Sequence, residues 1–313
     1  MRAELSQPAL DGPAAPVTVI IPTWRRHNDL ISTLNRILSC RPHPDEILIH
    51  VDYGDDETAP SLEQTQFPIR VFKAKERLGP GGGRHRLLHE ARHEIVASFD
   101  DDSYPLDQDY FARLLHLSAT YPQAAVFSSQ VFFRGDPIRP STNSASVVTS
   151  FIGCGCAYRR SVYLSVRGYL PLAVAYGAEE KDLSLQLFAA EKQIVASDSL
   201  RVYHDTELEH HAQAEIVAGT IANRALIAYL HYPATFLPKA ILQIANSVFY
   251  AVWHGRYRGI VTGLMLIPQQ IFRYRAHRKS ISRRKLVEYM RMRRKQGVPE
   301  KLACVPSSSE RLS

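Results

Sequence analysis

Cysteine is scarce in this chain of 313 residues, which contains only four. Four irregularly spaced cysteines are too few for a disulfide scaffold, and a chain of this length can instead bury a sizeable apolar core. Cys154 and Cys156 form a C-x-C pair, which lacks the C-x-x-C spacing typical of zinc and redox sites. We therefore expect both to be small buried residues in a protein of the reducing cytosol.

Long hydrophobic runs are also missing. No window of about 18 uninterrupted apolar residues occurs, so a membrane-spanning helix is not expected. The nearest approaches, residues 236–253 and 259–272, both contain polar residues. Residues 1–16 contain no apolar run before Pro16, which predicts a disordered lead rather than a secretory signal.

Acidic residues are the minority, because 38 Lys and Arg stand against 31 Asp and Glu and give a formal net charge of +7. Eleven of the basic residues lie in residues 273–295, which contain one acidic residue, Glu288. One basic run is a poor signal for nucleic-acid binding, and neither a recognition-helix motif nor aromatic residues interleaved on a sheet accompany it. We expect no nucleic-acid partner, although a nucleic-acid-binding protein that uses the basic tail is an alternative.

Apolar, β-branched runs alternate with helical patterns over the first hundred residues. Because such alternation favours right-handed crossovers, it predicts a mainly parallel sheet flanked by helices. Residues 79–83, "GPGGG", are predicted as a loop that precedes a helix. The predicted strands are residues 17–23, 46–52, 69–74 and 94–99.

Three of these strands end on polar or acidic residues, which are Thr23, Asp52 and the triplet Asp100 to Asp102. In open parallel sheets, ligands bind outside the carboxyl ends of the strands, so we expect these side chains at one edge. Adjacent carboxylates repel, and only solvent, a cation or basic neighbours make such a triplet tolerable. The residues alone leave two interpretations open, a solvated strand end or a site for a divalent metal.

A second acidic cluster, Glu179, Glu180 and Asp182, opens an amphipathic helical pattern. The positive end of a helix dipole favours carboxylates, so an ordinary helix terminus also explains this cluster. His204 ends a further predicted strand, and from about residue 207 the pattern is helical. We predict a disordered lead over 1–16, a catalytic domain over 17–206 and a helical, basic region over 207–313.

The ordered motifs of residues 17–205 resemble those of family 2 glycosyltransferases with the GT-A fold. The resemblance rests on "VIIPTWRR", "ILIHVDYGDDET", "GPGGGRHRLLHEA", "ASFDDDSYP", "GCGCAYRRSVYLSVRGY", "YGAEEKDLSLQL" and "VYH". It implies a Rossmann-like α/β catalytic domain with a C-terminal helical extension. It also implies an inverting, metal-dependent transfer of a sugar from a nucleotide sugar to a hydroxyl of a glycan or lipid-linked glycan.

The resemblance implies a metal site on the D-x-D motif. Asp102 matches the metal ligand, Asp100 matches a ligand of the metal or the ribose, and His204 matches a histidine that completes the metal shell. Mn²⁺ or Mg²⁺ suits carboxylate oxygen, and a divalent cation stabilises a leaving diphosphate. The register of the triplet is ambiguous by one residue, so Asp101 is an alternative.

The resemblance also implies nucleotide-sugar contacts along the strand ends. Tyr53 stands where the family usually has a second aspartate, and His85 replaces its usual asparagine. The residues implied in nucleotide-sugar binding are Pro22, Thr23, Arg26, Asp52, Arg84, Asp100 and Asp101.

An inverting transfer needs a general base that removes the acceptor hydroxyl proton. The matching position of the family's "E-D-x-D-L" pattern is Glu180, with Glu179 and Asp182 as alternatives. A catalytically silent scaffold that keeps the fold is a rival interpretation, although all the acidic positions are present.

The basic C-terminal region resembles an interfacial membrane anchor. Each clustered Lys or Arg contributes about 1 kcal/mol of binding free energy near anionic lipid, and amphipathic helices add buried apolar area. We predict peripheral attachment to an anionic membrane surface through residues 236–296, at the cytoplasmic face. Many family members act there on lipid-linked acceptors, which suggests polysaccharide biosynthesis; a soluble helical cap is the alternative.

Overall fold

The computed structural model describes residues 12–62, 69–172, 178–206 and 214–296. They pack as two compact units. The first comprises residues 12–62, 69–172 and 190–206, and the second comprises residues 178–189 and 214–296. The predicted lead, residues 1–16, lies mostly outside the described residues, and the predicted boundary at residue 206 stays a prediction.

Nine strands occur in the described residues, all in the first unit. They are β1 (Ala15–Thr23), β2 (Pro44–Val51), β3 (Ile69–Lys73), β4 (Ile95–Phe99), β5 (Ser103–Pro105), β6 (Ala124–Phe133), β7 (Ala145–Val148), β8 (Gly155–Arg159) and β9 (Gln193–His204).

Ten α-helices occur in the same residues, and the second unit contains the sixth to the tenth. They are α1 (His27–Leu38), α2 (Thr58–Leu62), α3 (Gly79–Glu90), α4 (Tyr110–Thr120), α5 (Arg160–Leu164), α6 (Ala178–Ala189), α7 (Ala214–His231), α8 (Leu237–Trp253), α9 (Ile260–Tyr274) and α10 (Arg283–Lys295). Two short 3₁₀ helices, Ala234–Phe236 and Arg275–His277, precede α8 and follow α9.

The strands form one mixed sheet with the order β3-β2-β1-β4-β8-β6-β9-β5, and β7 pairs with β9. The first four strands are parallel to one another, which confirms the arrangement predicted from the alternating pattern. Beyond β4 the sheet is mixed, because β8 runs antiparallel to both β4 and β6, whereas β6 and β9 are parallel. The carboxyl ends of β1, β2 and β4 therefore lie at one edge.

The core of the first unit lies between this sheet and its covering helices. Helix α1 buries Leu30, Leu34 and Ile37, which recur at helical spacing, while α4 buries Phe111 and other apolar residues. The strands β1, β2 and β4 are buried along almost their whole length. Their β-branched composition suits strands that are covered on both faces.

The glycine-rich segment forms the first turns of α3, so the prediction of a loop over residues 79–83 is wrong. Tight packing explains the glycines. A Cβ atom at Gly83 would lie 2.7 Å from His50 Cδ2 on β2 and 3.2 Å from Pro22 Cβ on β1. A Cβ atom at Gly82 would lie 3.1 Å from Pro171 Cβ. Glycine thus lets α3 approach the sheet closely.

The second unit is helical and is built around α7, most of whose residues are buried. Helices α8 and α9 pack on α7, and a Cβ atom at Gly263 of α9 would lie 2.9 Å from Ala218 Cα. Helix α10 turns Leu286 and Tyr289 into a cluster with Leu185 of α6 and Ile227 of α7. The apolar face of the basic helix is therefore used in packing within the unit.

Among the described residues, no helix combines the length and the apolar character that crossing a membrane would require.

Candidate functional site

The polar edge of the first unit gathers the residues that end four of its strands. Thr23 ends β1, Asp52 follows β2, the triplet Asp100 to Asp102 follows β4, and His204 ends β9. The parallel pairing of β1 with β2 and β4 brings the first three together. Residues Ser103 to Pro105 pair with the end of β9, with Ser103 opposite His204. Sheet topology therefore builds one acidic edge from distant segments.

Asp101 is the buried centre of the triplet. Its carboxylate accepts a hydrogen bond from Thr23 Oγ1 (2.8 Å) and lies 3.1 Å from Arg26 Nη1. Its backbone carbonyl accepts a hydrogen bond from Thr33 Oγ1 of α1 (2.9 Å). Burial raises the pKa of Asp101 to about 7, because the nearby Arg26 guanidinium only partly offsets the loss of solvent.

Asp102 faces two cationic groups and is 4% exposed. Its Oδ2 lies 2.8 Å from Arg26 Nη1, and its Oδ1 lies 3.0 Å from His204 Nε2. Burial alone would raise its pKa, but His204 and Arg26 outweigh burial and lower the pKa to about 2. Burial opposes a charge on His204, whereas the Cys154 sulfur and the Asp102 carboxylate raise the pKa of the imidazole. Because burial also keeps Cys154 protonated by raising its pKa, we attribute the shift of His204 chiefly to Asp102.

Asp100 is held by Arg84, which donates from Nη2 to Asp100 Oδ1. Arg84 is itself buried and donates from Nε to Ser98 Oγ (3.1 Å) on β4. The Asp100 amide donates to Ser103 Oγ (2.7 Å), which donates to the Cys154 carbonyl (2.7 Å). Arg84, which the resemblance implies in nucleotide-sugar binding, is thus bonded to the acidic triplet.

Ligand atoms of Asp100, Cys154 and His204 lie within 4.8 Å of one another. The other ring nitrogen of His204, Nδ1, lies 3.4 Å from Cys154 Sγ. The two oxygens of Asp102 are buried at ion-pair distance from cations but make no aligned hydrogen bond to the protein. Carboxylate and imidazole are ligands that Mn²⁺ accepts, so these residues fit a divalent cation.

Asp52 lies at the N-terminus of α3. Its carboxylate accepts hydrogen bonds from the amides of Tyr53 (2.9 Å), Leu78 (2.9 Å) and Gly79 (3.0 Å). Burial opposes its charge, but His50 and these amides outweigh burial and lower the pKa of Asp52 to about 2. Asp52 therefore stabilises the start of α3.

Pro22 and His85 have packing partners in the first unit. Pro22 is buried in β1 beneath α3, as the close approach of Gly83 shows. His85 Nδ1 lies 2.8 Å from the Tyr163 hydroxyl, which also accepts a hydrogen bond from the Tyr169 amide (3.0 Å). His85 thus links α3 to the segment after β8.

The second acidic cluster lies on α6 in the second unit. Glu179 and Asp182 are buried, and Glu180 is partly exposed. His231 Nε2 of α7 donates to Asp182 Oδ1 (2.6 Å), and Gln186 Nε2 donates to Asp182 Oδ2 (3.1 Å). Both oxygens of Asp182 therefore have partners within the unit.

Two contacts within these clusters could not be predicted from the sequence, one made by Cys154 and the other by His231. Cys154, interpreted as a small buried residue, is buried but also reaches His204 and Asp100. The C-x-C spacing carries no metal signal, and the contact forms only because folding brings Cys154 beside His204 at the end of β9. His231 stands in an unbroken helical pattern and has no sequence signal that would pair it with Asp182.

Comparisons with known proteins agree with this geometry. Residues 18–165, all in the first unit, match the family model described as glycosyl transferase family 2. A search of curated protein sequences finds no match.

Three solved structures illustrate the likeness. GalNAc-T7 with UDP, GalNAc and Mn²⁺ is 13% identical with a TM-score of 0.55; the alignment covers 72% of this chain and 49% of GalNAc-T7. The mannosyltransferase PcManGT from Pyrobaculum calidifontis, with GDP-Man and Mn²⁺, is 14% identical with a TM-score of 0.56 and coverages of 95% and 89%. Residues 1–349 of S. aureus TarS with UDP-GlcNAc are 18% identical with a TM-score of 0.50 and coverages of 68% and 70%.

This chain thus spans about half the length of GalNAc-T7 and most of PcManGT. Identities this low bear on the fold alone, while the matched family model bears on the family. The nine-stranded sheet with flanking helices has the GT-A architecture, and residues 18–165 within it match the glycosyl transferase family 2 model.

Proposed function

We propose that this protein is an inverting, metal-dependent glycosyltransferase. It moves a sugar from a nucleotide-sugar donor to a hydroxyl of a glycan or lipid-linked glycan. The observation that carries the proposal is the buried Asp102, whose two oxygens face His204 and Arg26 at the carboxyl edge of the sheet. The family match over residues 18–165 supports the reaction class.

Asp100, Asp102 and His204 would hold the Mn²⁺ or Mg²⁺ ion, with Cys154 beside them. When bound, the ion supplies positive charge that stabilises the leaving nucleoside diphosphate. Arg84 keeps Asp100 in place through its guanidinium, and Arg26 neutralises the charge that Asp101 and Asp102 share. These two arginines also suit the recognition of diphosphate oxygens.

The donor-binding residues in this proposal are Pro22, Thr23, Arg26, Asp52, Arg84, Asp100 and Asp101. Thr23 and Asp101 are already joined by a hydrogen bond, which fixes the edge against which a nucleoside would lie. Asp52 acts by holding the start of α3 through the amides of Leu78 and Gly79. The solved neighbours carry UDP, GDP-Man or UDP-GlcNAc, so UDP- and GDP-sugars are the first donors to test.

Glu180 is the proposed general base. The acceptor oxygen loses its proton to the Glu180 carboxylate and bonds to the anomeric carbon, while the bond from that carbon to the diphosphate oxygen breaks. Attack opposite the leaving group inverts the anomeric configuration. Asp182 is a weaker candidate, because His231 and Gln186 occupy its oxygens. Glu179 is the second alternative.

The proposed place of action is an anionic membrane surface at the cytoplasmic face, where lipid-linked acceptors lie. The support is the basic character of the C-terminal region, in which eleven Lys and Arg fall within residues 273–295. A lipid-linked acceptor would then lie in the same surface to which the enzyme is bound. The corresponding biological role is polysaccharide biosynthesis.

A donor screen tests the proposal. Purified protein is incubated with Mn²⁺ or Mg²⁺, a glycan acceptor mixture and a panel of nucleotide sugars, and released diphosphate is measured. We expect release from one donor class that requires the metal and stops on chelation. If no donor is turned over but nucleotide diphosphates bind, the protein is a silent scaffold with the GT-A fold.

A further inference from the structure

The outer faces of α8 and α9 are apolar and exposed. On α8, Ile241, Phe249 and Trp253 are 67%, 62% and 76% exposed. On α9, Val261 and Met265 are 67% and 72% exposed. These positions lie four or eight residues apart along each helix, so each helix turns one apolar stripe outward while its opposite side packs on α7.

The two stripes form one continuous surface. A groove of about 550 Å³ runs along them and is lined by Ile244, Val248 and Val252 of α8 and by Leu264 of α9. Phe249 and Trp253 stack at the end of α8, with ring centroids 6.0 Å apart. Soluble proteins rarely expose apolar patches of this kind unless a partner or a membrane covers them. We call this surface, formed by residues 237–272, the α8–α9 face.

Charge around the α8–α9 face has one sign. Residues 216–287 contain eleven Lys and Arg and no Asp or Glu. Arg258 lies between the two helices, and Arg273 and Arg275 end α9 and begin the next turn; all three are exposed. An apolar surface edged by arginine suits the boundary between lipid headgroups and acyl chains, since anionic headgroups attract the arginines while the apolar stripe enters the acyl region.

The same charge argues against a second copy as the occupant. In a two-fold dimer the same surface meets itself, so the basic edges of both copies would approach each other. Residues 216–287 offer no acidic side chain to pair with them. Self-association would therefore oppose like charges, whereas an anionic bilayer complements them.

We propose that the α8–α9 face inserts into the acyl region of an anionic bilayer, while α10 contributes charge without insertion. Helix α10 cannot insert its apolar side, because Leu286 and Tyr289 pack against α6 and α7. This inference deepens the proposed membrane placement and rests on it. Within the predicted attachment region, residues 236–296, it assigns insertion to α8 and α9 rather than to the basic helix α10.

Binding to sedimented vesicles tests the inference without any measurement of activity. The full chain is mixed with phosphatidylcholine vesicles that contain no or one-third phosphatidylglycerol. The double variant Trp253→Gln, Met265→Gln removes two exposed apolar groups, and we expect its partition coefficient to fall about 100-fold. The matched control Val287→Gln removes an exposed apolar group from α10, and we expect a change below about threefold.

A second measurement reports depth. The chain contains two tryptophans, so Trp24→Phe leaves Trp253 as the single emitter, and vesicles of brominated lipid should quench it. Binding without quenching, or equal losses in the double variant and the α10 control, would overturn insertion while leaving electrostatic membrane binding intact. If the chain does not bind vesicles, a membrane is not the partner of the α8–α9 face. The same follows if sedimentation velocity shows self-association that the double variant removes. If the donor screen fails while the chain still binds vesicles, the proposed reaction is contradicted and the membrane inference stands.

Discussion

The two compact units distribute polar and apolar side chains in opposite ways. The first unit buries its apolar residues on both sides of the sheet and gathers charged groups at the strand ends. The second unit buries the ionisable pair Asp182 and His231, and its helices α8 and α9 carry most of the exposed large apolar side chains among the described residues. Charged ligands suit the first arrangement, and an apolar environment suits the second. Substitutions that test activity and stability in each unit sharpen this contrast.

The largest effect is expected at the acidic edge of the first unit. Asp102→Asn removes one negative charge that faces His204 and Arg26, and we expect turnover to fall at least about 1000-fold through weaker metal binding and weaker stabilisation of the leaving group. Initial-rate measurements in Mn²⁺ titrations check this, with the affinity for Mn²⁺ measured independently by electron paramagnetic resonance. Asp29→Asn, an exposed carboxylate that also pairs with Arg26, is the matched control and should stay within about threefold. Normal Mn²⁺ affinity in Asp102→Asn would contradict the proposed ligand.

The α6 glutamate gives the next effect. Glu180→Gln keeps the size of the side chain but removes the proposed base, so we expect kcat to fall about 1000-fold with little change in the donor KM. Glu179→Gln alters the neighbouring, buried glutamate and should cost less than about tenfold. The two variants are compared at saturating donor and acceptor. A larger loss in Glu179→Gln would move the base assignment by one residue.

Asp182 should instead be a stability residue of the second unit. Asp182→Asn weakens the buried hydrogen bond to His231, and we expect a loss of about 2 kcal/mol in the free energy of unfolding. Urea denaturation of the variant, of His231→Asn and of the double variant checks this. The double variant should lose less than the sum of the single losses, because the two residues contact each other. Additive losses would show that the pair is not coupled.

The close approach of α3 to the sheet predicts a smaller loss in the first unit. Gly83→Ala would place a methyl group 2.7 Å from the buried His50 ring, so we expect a loss of about 1 to 2 kcal/mol. In an open helix the same change would stabilise by about 1 kcal/mol. Thermal unfolding distinguishes these signs. The second-site variant His50→Ala opens space, and Gly83→Ala should cost less in that background.

The glycines of α3 also show where sequence reasoning ends. The run "GPGGG" predicts a loop, but these glycines serve close packing, and only the positions of His50, Pro22 and Pro171 reveal that. By contrast, β1, β4 and α1 were predictable, since their apolar periodicity reflects burial against one core.

The candidate site divides in the same way. Strand-end placement brought Thr23, Asp52 and the triplet together in the prediction, because parallel strands share an edge. The partners Cys154 and His231 depend on pairings between distant segments that no local pattern encodes. The predicted attachment region, residues 236–296, includes α8 and α9, but the side of each helix that stays exposed depends on what packs against α7, and no local pattern encodes that.

The smallest effect is expected at His85, a half-buried histidine of the first unit whose protonation should change the stability of the fold. Burial lowers the pKa of His85 to about 4, with repulsion from His89 and Arg167 contributing, so the folded protein keeps the imidazole neutral. The Tyr169 amide donates to the Tyr163 hydroxyl oxygen, and the hydroxyl hydrogen can be donated to His85 Nδ1 when that nitrogen is unprotonated. The unfolded chain binds a proton at its ordinary pKa of 6.5. The stability that depends on neutral His85 is therefore complete above pH 6.5 and is lost as the pH falls toward 4.

We expect His85→Asn to show a smaller decline in unfolding free energy between pH 7 and pH 5 than the parent chain. His116→Asn, on the exposed side of α4, controls for the loss of one imidazole. Equal declines in the parent and His85→Asn would mean that protonation of His85 does not oppose folding, and the contact with Tyr163 would then have to tolerate the charged ring.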